Sequence, residues 1–299
     1  VAPNPITASK FIQRILDNGE EGLLVISRAI QAAGLMDTLS VVRDEVYEEK
    51  YQTGQIPDLK DFLSLGFVDP RVNKGTDAYA PPHRLIGFTI FAETDDYWRA
   101  QGLDPHSPNL LEELTQWILE NRQYSEDDVF KTSGVSYDSP QHLLYQWVTY
   151  HILPMRIPAN RLLIHANEYG YSASNPGKFT IPVVEYYTTM GKRRLLKLYE
   201  SGASNGVYLN RFPILDDGRR GTGLEIGCDA DKTGCYVVRD GELTNVQGIV
   251  NACIYPIDKP LSYNDDVRNH LMKDHIRFDG FAIFPEAMTN ELRRKESKE

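Results

Sequence analysis

The order of periodic patterns along the chain constrains its fold most, because helical spacing dominates the first half and strand patterns the second. Apolar residues recur at helical spacing in residues 23–33 and 110–118. From residue 169 onward, segments rich in β-branched and aromatic residues, such as FTIPVVEYYTT, RRLLKLYES and CYVVRDGEL, are separated by Gly, Asn and Asp turns. Helices that precede strands indicate an α+β fold instead of alternating α/β units.

Capping residues predict where the helices begin and end. Ser9 is a candidate N-cap for a helix over residues 10–17, and glycines are placed to end this helix and the next, at Gly19 and Gly34. Two Ser-Pro pairs predict further helix starts, at Ser107-Pro108 and Ser139-Pro140. We expect the second of these helices to stop before Pro154.

A buried strand is predicted at residues 85–92, LIGFTIFA, because the run is apolar and rich in β-branched and aromatic residues. It ends abruptly at the polar run that starts with Glu93. Thr94 or Asp95 is placed to cap a short helix that contains Trp98. The segment therefore predicts a strand that runs into a capped turn.

Residues 43–84 interrupt this pattern. They are polar and charged, contain four prolines, and include pieces such as VRDEVYEEKY that could form short helices. We interpret them as a long insertion in one domain over residues 1–265. Residues 266–299 are then interpreted as a C-terminal extension or as the start of a further region.

Charge and hydropathy exclude some classes of partner. The net charge of −10 disfavours nucleic acid, because an acidic surface repels phosphates. The one basic cluster, Lys192-Arg193-Arg194, is interpreted as a solvated hairpin end. No run approaches the roughly 20 apolar residues of a membrane-spanning helix. The chain starts at Val1 without Met, so we expect any export signal to have been removed.

Several patterns resemble catalytic or metal motifs, but their contexts disagree. Residues 202–206, GASNG, place Ser204 in a G-x-S-x-G pattern. Strand-like segments on both sides, however, favour a hairpin turn over a nucleophile elbow. The loop from Asp229 to Asp240 half-resembles a calcium loop, but a strand follows it, which favours a polar hairpin tip over an adventitious cation site. We therefore predict no catalytic residue, no metal site and no cofactor.

The three cysteines do not form a complete disulfide framework, because their number is odd. Cys228 and Cys235 bracket a polar loop and could bond across a hairpin. The alternative is that both are thiols.

Four segments occur in a distinctive order: EEGLLVISRAIQAAGLMDTLS, GFTIFAETDDYW, YHILPMRIPANRLL and VQGIVNACIYPIDKPL. Together they resemble the fasciclin domain family over about residues 9–261. Glu93 stands where the family usually has Pro, and Gln247-Gly248 where it usually has Asn-Gly. The resemblance implies an α+β wedge or sandwich of two small β-sheets, flanked by α-helices. The motif positions that we expect to be mainly structural are Thr89, Phe91, Thr94, Asp95, Gly248 and Asp258.

The central motif contains the candidate ligand-binding residues, Tyr150 and His151. The resemblance implies that they belong to an adhesive surface. Because His151 follows an apolar helix face, the alternative is a packed, hydrogen-bonded histidine of the core. Both interpretations stay open from the sequence.

The resemblance implies a non-catalytic, extracytoplasmic module for cell adhesion or matrix binding. The layout is most similar to surface lipoproteins of gut Bacteroidetes, which implies an outer-membrane or cell-surface location and membrane contact only through a lost lipid anchor. The alternative is a glycan-binding accessory protein of a polysaccharide-uptake system. The partner is then an unknown protein or glycan, and the aromatic residues expected to stack on sugars are Tyr47, Tyr51, Tyr79 and Trp98.

Overall fold

The computed structural model describes residues 6–55, 86–121, 129–157, 183–191, 194–200, 207–210, 235–237, 249–257, 259–263 and 267–268. Its helices are α1 (Ala8–Asn18), α2 (Leu24–Ala32), α3 (Glu45–Gln52), α4 (Asp95–Ala100), α5 (Leu110–Asn121) and α6 (Leu143–Tyr150), with a 3-10 turn at Thr38–Ser40. Its strands are β1 (Phe88–Glu93), β2 (Ile152–Leu153), β3 (Val183–Thr188), β4 (Leu195–Glu200), β5 (Val207–Leu209), β6 (Cys235–Val237) and β7 (Ala252–Ile257). The predicted α+β class is confirmed.

The strands form two small groups that are joined in the order β2-β1-β7-β6-β5-β4-β3. In the first group, β1 pairs in parallel with β7 from Phe88 opposite Ala252 to Glu93 opposite Ile257, while β2 is antiparallel to β1. In the second group, β3 to β6 are antiparallel neighbours. The groups meet where Val237 of β6 pairs with Ile257 of β7. The two predicted small sheets are thus linked through one residue pair.

Strand β1 separates two hydrophobic clusters. Phe88, Ile90 and Ala92 pack with the buried faces of α1, α2, α5 and α6. Phe91 points to the other side, into a cluster that also contains residues from β4, β5 and β7. All six β1 residues are buried, Phe88 to Ala92 as the apolar run predicted and Glu93 contrary to its expected place at the start of a polar run. Ile90 and Phe91 therefore face opposite sides of β1, and the second cluster connects the two strand groups.

The first helix begins earlier than the sequence indicated. Its N-cap is Thr7, whose hydroxyl accepts a hydrogen bond from the backbone N–H of Lys10, so the prediction of Ser9 as the cap is wrong. Gly19 ends the helix in the left-handed conformation, with φ of 58°. Gly34 follows α2 with φ of 71°, also as predicted. These are positions where glycine avoids the strain of a side chain.

The two Ser-Pro helix starts are displaced. Ser107 accepts from the N–H of Asn109, but α5 begins only at Leu110. Helix α6 begins at Leu143 with His142 as its N-cap, so Ser139 is not the cap. The helix ends at Tyr150, before Pro154, and β2 follows immediately, a strand that the sequence patterns missed.

Several predicted features lie outside the described residues. These are most of the insertion (56–84), Ser204, Cys228, Gly248, Asp258 and most of the C-terminal extension. Strands β4 and β5, on either side of Ser204, are antiparallel neighbours, as the hairpin interpretation requires. Within the insertion, the predicted short helix at VRDEVYEEKY is present as α3. Cys253 is buried in β7.

Candidate functional site

A surface cleft lies where three segments meet: the C-terminal half of α6, the turn between β3 and β4, and the chain after β7. Its lining includes Trp147 and Tyr150 from α6, Gly191 and Arg194 from the turn, and Tyr263 from the last segment. The cleft is open to solvent, and the space in it that is comparable to a cavity is about 20 Å³, roughly the size of one water molecule. It contains one of the two residues that the sequence proposed for ligand binding, Tyr150.

Tyr150 forms the floor of the cleft and is held at its hydroxyl group. The hydroxyl donates to the backbone oxygen of Leu195 at 2.8 Å and accepts from the side-chain amide of Asn210 at 2.9 Å. The residue is only 2% exposed. Two hydrogen bonds at one hydroxyl hold the phenol in place, and this hydroxyl is already bonded to residues of β4 and the end of β5.

Gly191 lets the β3–β4 turn approach the end of α6. A Cβ atom at this position would lie 2.9 Å from the backbone nitrogen of Tyr150 and 3.0 Å from its Cα. Such distances are below van der Waals contact with atoms that cannot rotate away. Glycine is therefore required by the close packing that brings Arg194 to the cleft.

Arg194 and Tyr263 form the mouth of the cleft. The guanidinium carbon of Arg194 lies 4.3 Å from the centre of the Tyr263 ring, which itself packs edge-on against Tyr150 with ring centres 5.6 Å apart. Both mouth residues are half-buried. Arg194 lies at the end of the β3–β4 hairpin, as predicted for the basic cluster, and is half-buried there, while Lys192 and Arg193 lie outside the described residues.

Gln146 contributes a neutral polar group beside the cleft. Its amide nitrogen donates to two backbone carbonyl oxygens, those of Val129 at 3.1 Å and Pro140 at 3.0 Å. Two carbonyl acceptors can only face the NH₂ group, so the orientation of the amide is determined. The amide oxygen is buried and, within the part of the chain that the structure describes, has no hydrogen-bond partner. An orphaned acceptor of this kind costs about 1–3 kcal/mol.

His151 lies behind the cleft and has no exposed surface. Its ring packs on Trp147 with ring centres 4.2 Å apart. Its Nδ1 lies 2.7 Å from the backbone oxygen of Trp147, and its Nε2 lies 2.9 Å from a carboxylate oxygen of Glu93. The structure thus places His151 in the core, in agreement with the alternative of a packed, hydrogen-bonded histidine.

Hydrogen-bond chemistry restricts the protons of this buried pair. The carbonyl oxygen of Trp147 can only accept, so the Nδ1 atom of His151 bears a hydrogen. One proton then lies between Nε2 and Glu93, either on an imidazolium beside a carboxylate or on a carboxylic acid beside a neutral imidazole. The same oxygen of Glu93 also accepts from the backbone N–H of Leu261 at 2.8 Å. Glu93 therefore ties the chain after β7 to both β1 and α6.

Glu93 is a structural residue that the sequence analysis did not identify. It was expected to start a polar turn, whereas it ends β1 and is fully buried. The sequence did contain a signal for this role, because Glu93 stands where the resembled family usually has Pro. A proline could accept no bond from His151 or Leu261 through its side chain, so the substitution creates this connection.

The motif residues of β1 and its turn bond mainly to the backbone. The Thr89 hydroxyl donates to the Met155 oxygen at 2.7 Å and accepts from the N–H of Ile157 at 2.9 Å. Thr94 caps α4, as predicted, by accepting from the N–H of Tyr97 at 3.4 Å. These contacts stabilise the chain around β1 and leave neither hydroxyl directed at the cleft.

Asp95 stabilises a different helix from the one expected. Its carboxylate accepts from the N–H groups of Gly22, Leu24 and Val25 at 2.6, 2.8 and 2.9 Å. The bonds satisfy the N-terminus of α2, whose own N-cap position, Leu23, makes no side-chain bond. The expected cap of the following helix is supplied by Thr94 alone. The three N–H donors compensate the buried Asp95 carboxylate for the hydrogen bonds to water that it loses.

His142 positions α6, the helix that supplies most of the cleft. Its Nδ1 accepts from the N–H of Leu144 at 3.0 Å, and its ring packs on Tyr137 with ring centres 4.7 Å apart. Burial disfavours the imidazolium and lowers the pKa of His142 below its ordinary value. The cap thus requires the neutral ring, because a protonated Nδ1 could not accept the bond.

Trp98 does not lie at a sugar-binding surface. It is fully buried and packs edge-on against Trp117 and Trp147, with ring centres 5.0 and 5.9 Å away. The prediction that it stacks on a glycan is therefore wrong. Tyr47 is half-buried in α3, the Tyr51 side chain is not described, and Tyr79 lies outside the described residues.

Among the described residues, no group of three or more His, Cys, Asp or Glu side chains is arranged to hold a metal ion. No helix in these residues is both long and apolar enough to cross a membrane. The chain matches no family model, no curated protein and no solved structure with which it was compared. A functional proposal for this chain therefore rests on the geometry of the cleft and on the motif resemblance.

Proposed function

We propose that this chain is a non-catalytic binding module that acts outside the cytoplasm, in cell adhesion or matrix association. The observation that supports it most is the cleft in which Arg194 lies over Tyr263 above a Tyr150 ring fixed from behind. Aromatic rings and guanidinium groups bind ligands by contact and charge.

The buried position of the acid–base residues also supports binding over catalysis. Among the described residues, Glu93 and His151 form a hydrogen-bonded acid–base pair, and both have no exposed surface. Their bonds go to each other and to the backbone of Trp147 and Leu261. A general acid or base must reach its substrate within hydrogen-bond distance, and this pair is separated from solvent.

A second candidate is an accessory protein that binds glycans for a polysaccharide-uptake system. The half-buried Tyr263 at the mouth favours it, since aromatic rings pack on the C–H faces of sugars. The surface location rests on the motif resemblance alone. A gene sequence with a signal peptide and a lipid-attachment cysteine upstream of Val1 would support it, whereas a cytosolic start would exclude it.

Binding can be tested with the purified chain on a glycan array and on a panel of immobilised matrix proteins and cells. The proposal expects saturable binding to at least one of these, with the ligand recovered chemically unchanged by mass spectrometry. Binding to matrix proteins or cells with a blank array supports adhesion, and a robust array hit supports the glycan candidate. Conversion of a bound ligand, or no binding on any surface, would overturn the proposal.

A further inference from the structure

The segment after β7, residues 259–263, is attached to the core through a titratable pair. We propose that this attachment is a pH-sensitive latch, in which Glu93 and His151 hold one shared proton while the segment is closed and lose it when the segment opens above neutral pH. The latch is a conformational device that goes beyond the proposed binding function and does not depend on it. It rests on the contacts of Glu93, His151 and Leu261.

The latch segment, residues 259–263, belongs to no helix or strand, so no strand ladder holds it. The N–H of Leu261 donates to the Glu93 carboxylate at 2.8 Å instead of to a backbone oxygen. The Leu261 side chain is buried in the second hydrophobic cluster, and Tyr263 packs edge-on against Tyr150. Segments outside regular structure open more easily than the elements beside them. Opening of this segment would break the Leu261 bond and uncover the Tyr150 ring at the cleft.

The closed pair needs a proton that the same groups do not keep in water at alkaline pH. Nδ1 of His151 donates to the Trp147 oxygen, so Nε2 and Glu93, 2.9 Å apart, need one shared proton between them. Without it, two acceptors would face each other in a site that has no exposed surface. In water, the extra proton of a histidine is lost above about pH 6.5. Closing of the segment therefore takes up one proton at higher pH.

This proton balance determines the sign of the pH dependence. Above about pH 6.5, each pH unit disfavours closing by up to about tenfold, because one proton must be taken up. Between about pH 4.3 and 6.5, an exposed histidine and glutamate also hold one such proton in total, so closing does not depend on pH. Below about pH 4.3 the open pair gains a second proton, which the closed pair disfavours because it would bury a net charge. The latch is thus tightest at mildly acidic pH.

The pair is isolated from the other titratable groups around it. Those on the neighbouring elements are Tyr150 of α6, Cys253 and Tyr255 of β7, Lys259 of the latch segment and Arg194 of the β3–β4 turn. The two tyrosine hydroxyls donate to backbone oxygens. Within the described part of the chain, none of the five forms a hydrogen bond or an ion pair with Glu93 or His151. The shared proton is therefore set by the pair and by whether the segment is closed.

The test is amide hydrogen exchange of the full chain, followed by NMR from about pH 5.5 to 8.5 and corrected for the intrinsic rise of exchange with pH. Protection of the Leu261 N–H should change by less than about threefold between about pH 5.5 and 6.5, and fall at least about tenfold between about pH 6.5 and 8.5. The matched control is the Val25 N–H, which donates to the Asp95 carboxylate at 2.9 Å, a buried bond without a histidine. Its protection should change by less than about twofold over the whole range.

Glu93→Gln keeps the size of the side chain but has no titratable proton to share. In this variant the fall in Leu261 protection above about pH 6.5 should be lost. The nitrogen shifts of the His151 ring give a second readout that needs no variant, and Nδ1 should bear its hydrogen throughout the range. Constant Leu261 protection in the parent protein, the same fall in Glu93→Gln, an equal fall at Val25, or an Nδ1 without hydrogen would each overturn the latch.

Discussion

Glu93 and His151 form a 2.9 Å hydrogen bond between two side chains that have no exposed surface. The bond joins the end of β1 to the end of α6, and the same carboxylate oxygen holds the N–H of Leu261. It therefore connects three segments that are far apart in the chain. Removing one member of a buried pair leaves the other polar group without a partner, which is the costly outcome.

Glu93→Ala should lower the free energy of unfolding by about 3–5 kcal/mol, because His151 and the Leu261 N–H lose their acceptor. Glu93→Gln should cost less, since its amide oxygen can still accept a bond. Urea denaturation measures both variants. Glu112→Ala, an exposed position of α5, is the control and should change stability by less than about 0.5 kcal/mol. Equal losses for Glu93→Ala and Glu112→Ala would contradict a structural role for the pair.

Asp95 and Asp96 are neighbours with opposite environments, which makes them a matched pair. Asp95→Ala should destabilise the protein by about 2–4 kcal/mol, because three N–H groups at the start of α2 lose a charged acceptor. Asp96 is exposed and bonds Arg99 at 3.4 Å, so Asp96→Ala should cost less than about 0.5 kcal/mol. Chemical denaturation distinguishes them. A small effect at Asp95 would show that water replaces the carboxylate at α2.

Asn251 is a third buried connection, between β7, α1 and the 3-10 turn. Its side-chain oxygen accepts from the Ala8 N–H at 2.8 Å, and its NH₂ group donates to the Leu39 and Val41 oxygens at 2.9 Å. Asn251→Asp keeps the shape but directs a carboxylate oxygen at two carbonyls. It should destabilise by about 2 kcal/mol or more, and at least as much as Asn251→Ala. If Asn251→Asp were the milder change in thermal melting, the NH₂ donors would not matter.

The stability of α6 should depend on pH through His142. The pKa of His142 is lowered in the fold by burial, so the neutral ring is favoured there relative to the unfolded chain. The contribution is complete above about pH 6.5, the usual value for histidine, and is lost as the pH falls through the lower folded pKa. The melting temperature should therefore decline on the acid side.

His142→Asn tests this, because asparagine is a good N-cap that does not titrate in this range. The variant should have a shallower decline in melting temperature between about pH 7.5 and pH 5 than the parent protein. The slopes are compared, since the loss of ring packing on Tyr137 shifts the absolute values. Parallel slopes would assign the acid sensitivity to other groups.

The sequence predicted those features in which a residue acts on neighbours that are only a few positions away in the chain. Thr94 as a helix cap, Gly19 and Gly34 as helix ends, and the buried run of β1 all depend on neighbouring residues, and the sequence indicated each of them. The helix starts at Thr7 and His142 were missed, since each end contains more than one residue able to cap, and packing selects among them.

The sequence by itself determined the class of fold, because helical and β-strand spacing are properties of short segments. It also determined which residues are apolar enough to form β1 and its neighbours. Only the tertiary structure decided that Glu93 binds His151, that Asp95 caps α2 from over 70 residues away, and that Arg194 lies over Tyr263. Such contacts depend on which elements pack side by side, and no local period contains that information.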